Sequence, residues 1–174
     1  MKIDPRCTAP GEIREVTDDA GTRGLEAIFC VAVPPRRLVD ILWDVANFPR
    51  LFPDIKETSV VDMDDPVSPT SIDLAYRVDV VVKEVRYVLR RRLDRGAGAI
   101  TWRELSGDLR RIRGGWWVEA TDDPQISRAT YRAFVDIGRF VPTRLVAKGA
   151  RRKAGEMIAR VRRVAVELHA ASET

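Results

Sequence analysis

Apolar and polar positions alternate along the middle of the chain, between about residues 55 and 137. Apolar residues stand at every second position of "SIDLAYRVDVVV", from Ile72 to Val82, whereas Asp73, Arg77 and Asp79 occupy the other face. This two-residue period is typical of a strand with one buried face. It recurs in "EVRYVLRRRL", "AITWREL", "LRRIRGGWWVEA" and "QISRATYRAFVDI". Successive strands joined by short turns predict an antiparallel meander.

Different patterns flank this region. The segment "GLEAIFCVAV" predicts a first strand, which two adjacent prolines end. Apolar residues from Leu38 to Val45 then recur at helical spacing. A long final helix is predicted from about Pro142 to Ala170, because apolar residues recur there every three or four positions. The residues of that apolar stripe are Val146, Ala150, Ala154, Met157, Val161, Val164 and Leu168.

The predicted elements follow the order strand, two short helices, about six strands and one long helix. This order favours an α+β domain in which a curved antiparallel sheet of about seven strands wraps round the long C-terminal helix. The two short helices follow the first strand. Residues 1–10, which contain Pro5 and Pro10, are expected to form a flexible N-terminal arm, and residues 11–174 a single domain.

The composition fits a globular protein with one core. The chain has 174 residues, of which 45% are hydrophobic. No apolar run approaches the roughly 18 residues needed to span a bilayer, and "MKIDPRCTAPGEIREV" contains no apolar stretch typical of a secretory signal. Two well-separated cysteines do not form a disulfide framework. We therefore expect a cytoplasmic protein.

The formal net charge is +4, and many arginines fall on the outward parity of the strands. Because acidic residues are interspersed, we expect a solvated face, with transient contact to an anionic membrane surface as a weaker alternative. Nucleic acid is not expected as a partner, because only Trp117 and Phe134 offer an outward stacking surface. The same two residues suit a homodimer contact, so monomer and homodimer both stay open. The outward arginines are Arg86, Arg90, Arg92, Arg103, Arg111, Arg113 and Arg132.

The connector "NFPRLFPDI", residues 47–55, is unusually apolar for a loop. Pro49 and Pro53 forbid a long helix, whereas Phe48 and Phe52 favour burial. A hydrophobic corner that completes the core explains this composition. A gate at the mouth of an internal space explains it equally well, because aromatic pairs suit both roles.

Four stretches carry a family resemblance: "VAVPPRRLVDILWDVANFPRLFPDIKETSVVD", "YVLRRRLDRGAGAITWREL", "LRRIRGGWWVEATDD" and "VPTRLVAKGARRKAGEMIARVRR". In this order they resemble the START-like superfamily, also called SRPBCC or helix-grip proteins. The most similar branch is that of polyketide cyclase/dehydrase and coenzyme Q-binding START proteins. In "GGWWVEA", Trp116 matches the family's tryptophan, and Ala120 stands where proline is common. The residues that match the family's connector are Asp44, Phe48, Pro49, Phe52 and Pro53.

This resemblance covers about residues 15–170 and implies a helix-grip fold with an apolar cavity between the sheet and the long helix. Inward aromatic rings suit a flat or polyisoprenoid ligand, although the same rings also suit a filled core. Arg91 and Glu104 follow the inward parity of their strands, so each is a candidate polar contact for a ligand. The candidate cavity-lining residues are Tyr76, Tyr87, Trp102, Trp116, Tyr131, Phe48, Phe52 and Arg91.

Signals of catalysis are weak. His169 is the only histidine and stands near the chain end, which disfavours a His-based triad. One histidine and two separated cysteines do not make a zinc site, and "RGGWW" and "DRGAG" are interpreted as turns. No catalytic residue, metal or cofactor is therefore expected.

We expect a non-enzymatic binding protein for a hydrophobic small molecule: a lipid, a quinone or a polyketide-like compound. One alternative is a polyketide cyclase or aromatase that acts on a bound chain, because the resemblance includes such enzymes. The other is an interaction module that uses the arginine-rich face of the sheet.

Overall fold

Strands and helices follow the predicted order, with one strand more than expected. The computed structural model describes residues 5–80, 83–136 and 143–173. The strands are β1 (Glu12–Thr17), β2 (Arg23–Val31), β3 (Ile55–Met63), β4 (Ser71–Val80), β5 (Lys83–Asp94), β6 (Ala99–Gly107), β7 (Arg111–Ala120) and β8 (Ser127–Asp136). The helices are α1 (Pro5–Thr8), α2 (Pro35–Trp43), α3 (Phe48–Leu51) and α4 (Thr143–Ser172), with a 3-10 turn at Val45–Asn47.

The described strands form one antiparallel sheet of eight strands, in the order β1-β2-β8-β7-β6-β5-β4-β3. Strands β3 to β8 form the predicted meander, and β2 closes onto β8 from the other side. Short helices lie between β2 and β3, and the long helix α4 ends the chain. The predicted α+β helix-grip architecture is confirmed, with eight strands in place of about seven.

The additional strand is β1, at one edge of the sheet. Only Ile13 and Val16 are apolar in its sequence "EIREVT", and it pairs with a single neighbour, β2. A short edge strand does not need a continuous apolar face, so alternation alone does not reveal it. The short helices therefore follow the second strand and not the first.

Gly114 and Gly115 lie inside β7, so the interpretation of "RGGWW" as a turn is wrong. A Cβ atom at Gly114 would lie 2.9 Å from the ring of Trp102 on the neighbouring strand. At Gly115 it would lie 2.7 Å from the ring of Trp117. The two glycines are needed because tryptophan rings lie against the backbone of β7 on both faces. The segment "DRGAG" does form the turn between β5 and β6.

Helix α4 packs on the inner face of the sheet, mainly against β2. Its apolar stripe is wider than predicted, because Ile158 is also buried, while Met157 and Leu168 are only partly buried. The side chain of Val146 and the residues Val82 and Ile137 lie outside the described residues. The buried residues among the described side chains of α4 are Ala154, Ile158, Val161, Val164 and Ala165.

Carboxylates on the outer face tie the strands together. Glu26 on β2 is only 1% exposed and accepts hydrogen bonds from Arg14 of β1 and Arg132 of β8. Burial raises the pKa of Glu26, but the bonds from Arg132 and Arg14 outweigh it and hold the pKa below its ordinary value. Asp73 likewise accepts two bonds of 2.8 Å from Arg90 on the adjacent strand.

Candidate functional site

The seven aromatic residues singled out from the sequence form one connected network, which we call the aromatic wall. The connector supplies two of them. Strands β4 to β8 supply one each, all on the inner face of the sheet. The rings meet edge-to-face, stacked or tilted, as buried aromatic rings prefer. The aromatic wall comprises Phe48, Phe52, Tyr76, Tyr87, Trp102, Trp116 and Tyr131.

One branch of the wall runs from the connector along β4 and β5. The ring centres of Phe52 and Phe48 lie 5.4 Å apart, and that of Phe48 lies 6.4 Å from that of Tyr76. Tyr76 and Tyr87, which pair directly across the two strands, stack at 5.4 Å. The branch therefore joins the connector to the hydroxyls of two tyrosines.

The second branch also begins at Phe52 and crosses to the other half of the sheet. The ring centre of Phe52 lies 6.4 Å from that of Trp116, which lies 4.7 Å from that of Tyr131. Tyr131 then meets Trp102 at 5.9 Å. Phe52 is thus the residue at which both branches join.

The connector turns as its prolines predict. Pro49 stands in the first turn of α3, and Phe52 ends this short helix. Two ion pairs tie the connector to α4: Arg50 to Glu167 at 2.6 Å, and Asp54 to Lys153 at 2.7 Å. The apolar corner is therefore held against the long helix from both sides.

The aromatic wall contains both buried and partly exposed rings. Phe48, Tyr76 and Trp116 are buried, at 3%, 7% and 3% exposure. The other members, Phe52, Tyr87, Trp102 and Tyr131, are only partly buried.

The tyrosine hydroxyls of the wall are polar groups in apolar surroundings. Burial raises the pKa of Tyr131 to about 12 and also raises the pKa values of Tyr76 and Tyr87. Within residues 5–80, 83–136 and 143–173, none of the three hydroxyls has a hydrogen-bond partner. These phenols are therefore protonated at neutral pH and available as donors.

Arg91 is buried, at 3% exposure, and its guanidinium is hydrogen-bonded to the end of helix α2. It donates to the backbone oxygens of Leu42 at 2.9 Å and Trp43 at 3.1 Å, at the C-terminal end of that helix. It also lies 4.8 Å from the ring centres of both Trp43 and Phe48. Burial lowers the pKa of Arg91, while the helix end and the two rings stabilise its charge.

Three residues of this region escaped the sequence analysis or received another role there. Glu104 accepts the backbone N–H of Ile112 at 3.0 Å, so it bonds to a neighbouring strand. Trp43 covers the guanidinium of Arg91, and Gly114 leaves space for the ring of Trp102. Paired glycines within an alternating segment are the signal that points to Gly114. No sequence pattern links Trp43 to a strand 48 residues later.

A depression of about 380 Å³ opens where strands β3 to β6 meet. Tyr76 and Tyr87 contribute to it together with charged residues such as Glu57 and Arg77. No described residue of α4 lines this depression, so it differs from the space implied between the sheet and the helix.

None of the described helices has a stretch long and apolar enough to cross a bilayer. Within the described part of the chain, no group of three or more His, Cys, Asp and Glu side chains is placed to hold a metal ion.

Comparisons with known proteins give one family and a shared fold. The family model described as "Polyketide cyclase / dehydrase and lipid transport" matches residues 31–162. No curated protein sequence matches the chain.

Three solved structures illustrate the shared fold. Human STARD10 is 17% identical, with a TM-score of 0.72 over 91% of this chain and 70% of that one. A STAR-related lipid transfer protein from Xanthomonas axonopodis is 15% identical, with a TM-score of 0.70 over 90% and 93%. The Zhui aromatase/cyclase from Streptomyces sp. R1128 is 19% identical, with a TM-score of 0.58 over 93% and 89%. At such identities the likeness establishes the fold alone.

Proposed function

Because the chain belongs to the polyketide cyclase / dehydrase and lipid transport family of the START-like superfamily, we propose that it binds a hydrophobic small molecule. The ligand class is a lipid, a quinone or a polyketide-like compound. Its site is a cavity between the inner face of the sheet and α4. The aromatic wall lines one side of this cavity, and the apolar stripe of α4 lines the other.

The tyrosine hydroxyls carry this proposal. None of these hydroxyl oxygens is among the fully buried atoms without a partner that the described residues contain. A phenol hydroxyl that stands on an apolar surface without a protein partner is a suitable contact for the polar atom of a ligand. In this chain Tyr76, Tyr87 and Tyr131 remain unbonded to any described residue, and two of them keep accessible surface. A ligand with an apolar body and an oxygen atom would cover the rings and accept the hydroxyl hydrogens.

Phe48 and Phe52 have different places in this proposal. Phe48 is sealed against Arg91 and Tyr76, so it forms the rigid base of the wall. Phe52 keeps accessible surface and joins the two branches of rings, which suits a residue at the cavity entrance. Arg91 supports the wall by fixing Phe48 and the end of α2, and not by a free guanidinium.

Native mass spectrometry of the purified protein tests ligand binding directly. We expect a mass in excess of the polypeptide, and solvent extraction should release an apolar compound. The variant Tyr131→Phe keeps the ring but removes the hydroxyl, so it should retain less of that compound. A protein that carries no compound and does not bind a fluorescent apolar probe would reject the proposal.

Catalysis on the bound molecule is the second candidate, and the protonated phenols favour it. A phenol is protonated at neutral pH and can donate a hydrogen bond to a developing oxyanion. The Zhui protein, which shares the fold, is named as an aromatase/cyclase.

Incubation with a poly-β-ketone chain analogue separates carriage from catalysis. A carrier returns the analogue with its mass unchanged, whereas a cyclase that also dehydrates returns a product lighter by water. If a product forms, Tyr87→Phe and Tyr131→Phe should slow its formation more than they reduce binding of the analogue.

A further inference from the structure

Three arginines face one another across adjacent strands on the outer face of the sheet. Arg90 on β5 pairs directly with Arg103 on β6, and Arg103 pairs directly with Arg113 on β7. Like charges at directly opposed positions destabilise a sheet, so such a row needs compensation.

Carboxylates neutralise the charge of the two outer arginines of this row, but not that of Arg103 at its centre. Arg90 donates two hydrogen bonds of 2.8 Å to Asp73, and Arg113 binds Asp18 at 2.7 Å. Arg103 lies between them and makes no hydrogen bond or ion pair with any residue that the structure describes. Its positive charge helps to lower the pKa of Asp73, but that carboxylate is already bonded to Arg90.

A second uncompensated arginine stands beside Arg103. Arg92 pairs with Thr101 across β5 and β6, and in the described structure its guanidinium also has no acceptor. The position opposite Thr101 on the far side is Gly115, over which the ring of Trp117 lies. These residues surround a notch of about 160 Å³. We call it the arginine notch; its outward side chains are Arg90, Arg92, Thr101 and Arg103, and Trp102, whose side chain belongs to the inner face, completes its lining.

We propose that the arginine notch binds a phosphate group, carried either by a small soluble molecule or by a lipid headgroup. Two guanidiniums without carboxylates supply the charge that a phosphate dianion needs, and their planar forks match its oxygens. The Thr101 hydroxyl completes the set of donors. The site lies on the face of the sheet opposite to α4, so it is separate from the proposed cavity.

The surroundings of the notch favour a single phosphate over a nucleic acid. Recognition of a single-stranded nucleic acid relies on exposed aromatic rings on which its bases can stack. The outward ring of Trp117 lies under Arg132, with 5.3 Å between the guanidinium carbon and the ring centre. The ring of Phe134 lies under Arg113 at 5.7 Å. Both candidate stacking surfaces are therefore covered by arginines that are themselves paired with Asp18 and Glu26.

The test compares two double variants with the same change in net charge. Arg92→Gln with Arg103→Gln removes the two uncompensated guanidiniums of the notch. Arg86→Gln with Arg128→Gln removes two exposed outward arginines elsewhere and serves as the matched control. Titration calorimetry with inorganic phosphate, at constant ionic strength, should show binding that is weakened about tenfold or more in the notch variant only.

A second readout distinguishes a binding site from a structural role. Without phosphate, Arg103→Gln should raise the melting temperature, because it relieves the repulsion along the arginine row. With phosphate, the melting temperature of the wild type should rise with concentration, and that of the notch variant should not.

Vesicles identify the source of the phosphate. Sedimentation with phosphatidylcholine vesicles, with and without phosphatidic acid, should show notch-dependent binding if the group belongs to a lipid. Notch-dependent binding of inorganic phosphate without vesicle binding indicates a soluble ligand. The proposal is overturned if neither probe binds, or if both double variants weaken binding equally. Binding of a short RNA that survives in the notch variant, with no phosphate response, overturns it as well.

Discussion

The guanidinium of Arg91 is a full charge in an apolar core, and the end of α2 stabilises it. The last carbonyls of a helix lack partners within the helix and carry partial negative charge. Arg91 reaches two of them, while the rings of Trp43 and Phe48 cover its faces. One side chain thus fixes both the helix end and the base of the aromatic wall.

Replacement of Arg91 by Met should lower the free energy of unfolding by about 3 kcal/mol, because two buried carbonyls lose a charged donor and two rings lose a cation. Urea denaturation measures the change. The matched control is Arg86→Met on the same strand, where the side chain is exposed, and its effect should stay within about 0.5 kcal/mol. Equal effects at the two positions would show that the bonds to α2 do not stabilise the fold.

At the scale of elements, the connector contains a short helix with Pro49 in its first turn, and ion pairs fix the connector to α4. The ion pairs come from Arg50 and Asp54, on either side of Phe52 in the sequence, and the ring of Phe52 meets those of Phe48 and Trp116. Motion of this one ring would open the wall without unfolding the connector.

Replacement of Phe52 by Ala should increase the exchange rate of a fluorescent apolar probe more than it lowers stability. The matched comparison is Phe48→Ala, which removes a sealed ring and should cost about 3–5 kcal/mol. Stopped-flow exchange and thermal melting of both variants give the two quantities. If Phe52→Ala lowers stability as much as Phe48→Ala does, and probe exchange in the folded protein is unchanged, Phe52 does not form an entrance.

Helix α4 depends on burial of one face against the sheet. Val161 on this face is 0% exposed, whereas Val166 on the same helix is 41% exposed. Helical propensity is the same for the two valines, so any difference between them comes from packing.

Replacement of Val161 by Asp should lower the free energy of unfolding by about 4 kcal/mol or more, because an unpaired charge enters an apolar interior. The same replacement at Val166 should cost no more than about 1 kcal/mol. Chemical denaturation of both variants checks the difference. A Val161→Asp protein as stable as the wild type would show that α4 does not pack on the sheet in solution.

At the scale of the whole molecule, hydrogen-bonded carboxylates link stability to pH. The side chain of Asp64 accepts hydrogen bonds from the Thr70 hydroxyl at 2.6 Å and from the backbone of Ser71 at 3.0 Å, between β3 and β4. These bonds lower the pKa of Asp64 from 3.8 to about 2. A depressed pKa stabilises the fold above the unfolded value, and this contribution is lost as the pH falls through the folded value.

The variant Asp64→Asn should therefore be less stable than the wild type at neutral pH, and the difference should shrink between about pH 4 and pH 2. Denaturation curves across this range measure it, with the neutral-pH difference as the internal control. A difference that stays constant down to the lowest pH would mean that the carboxylate charge of Asp64 does not stabilise the turn.

Periodicity predicted the parts of the fold in which one face is continuously apolar, such as β4 and α4. It missed β1, whose sequence is mostly polar, and misread Gly114, whose role depends on a tryptophan from another strand. Parity placed Arg91 in the interior but did not identify its partner, because the position of α2 is set by packing. Similarly, alternation predicted that the tyrosines share one face of the sheet, but it could not predict that their hydroxyls lack a partner among the described residues.

The pairing of β2 with β8 has a kinetic consequence. Val31 and Ser127 are neighbours in the sheet, although most of the chain separates them in sequence. Adjacent hairpins of the meander close short loops, whereas the pairing of β2 with β8 closes a very long one. We therefore expect this pairing to form late in folding. The proposed cavity between the sheet and α4 is enclosed only once β2 pairs with β8, because α4 packs mainly against β2. A ligand bound in the proposed cavity should therefore slow the separation of β2 from β8 during unfolding and leave the folding rate unchanged.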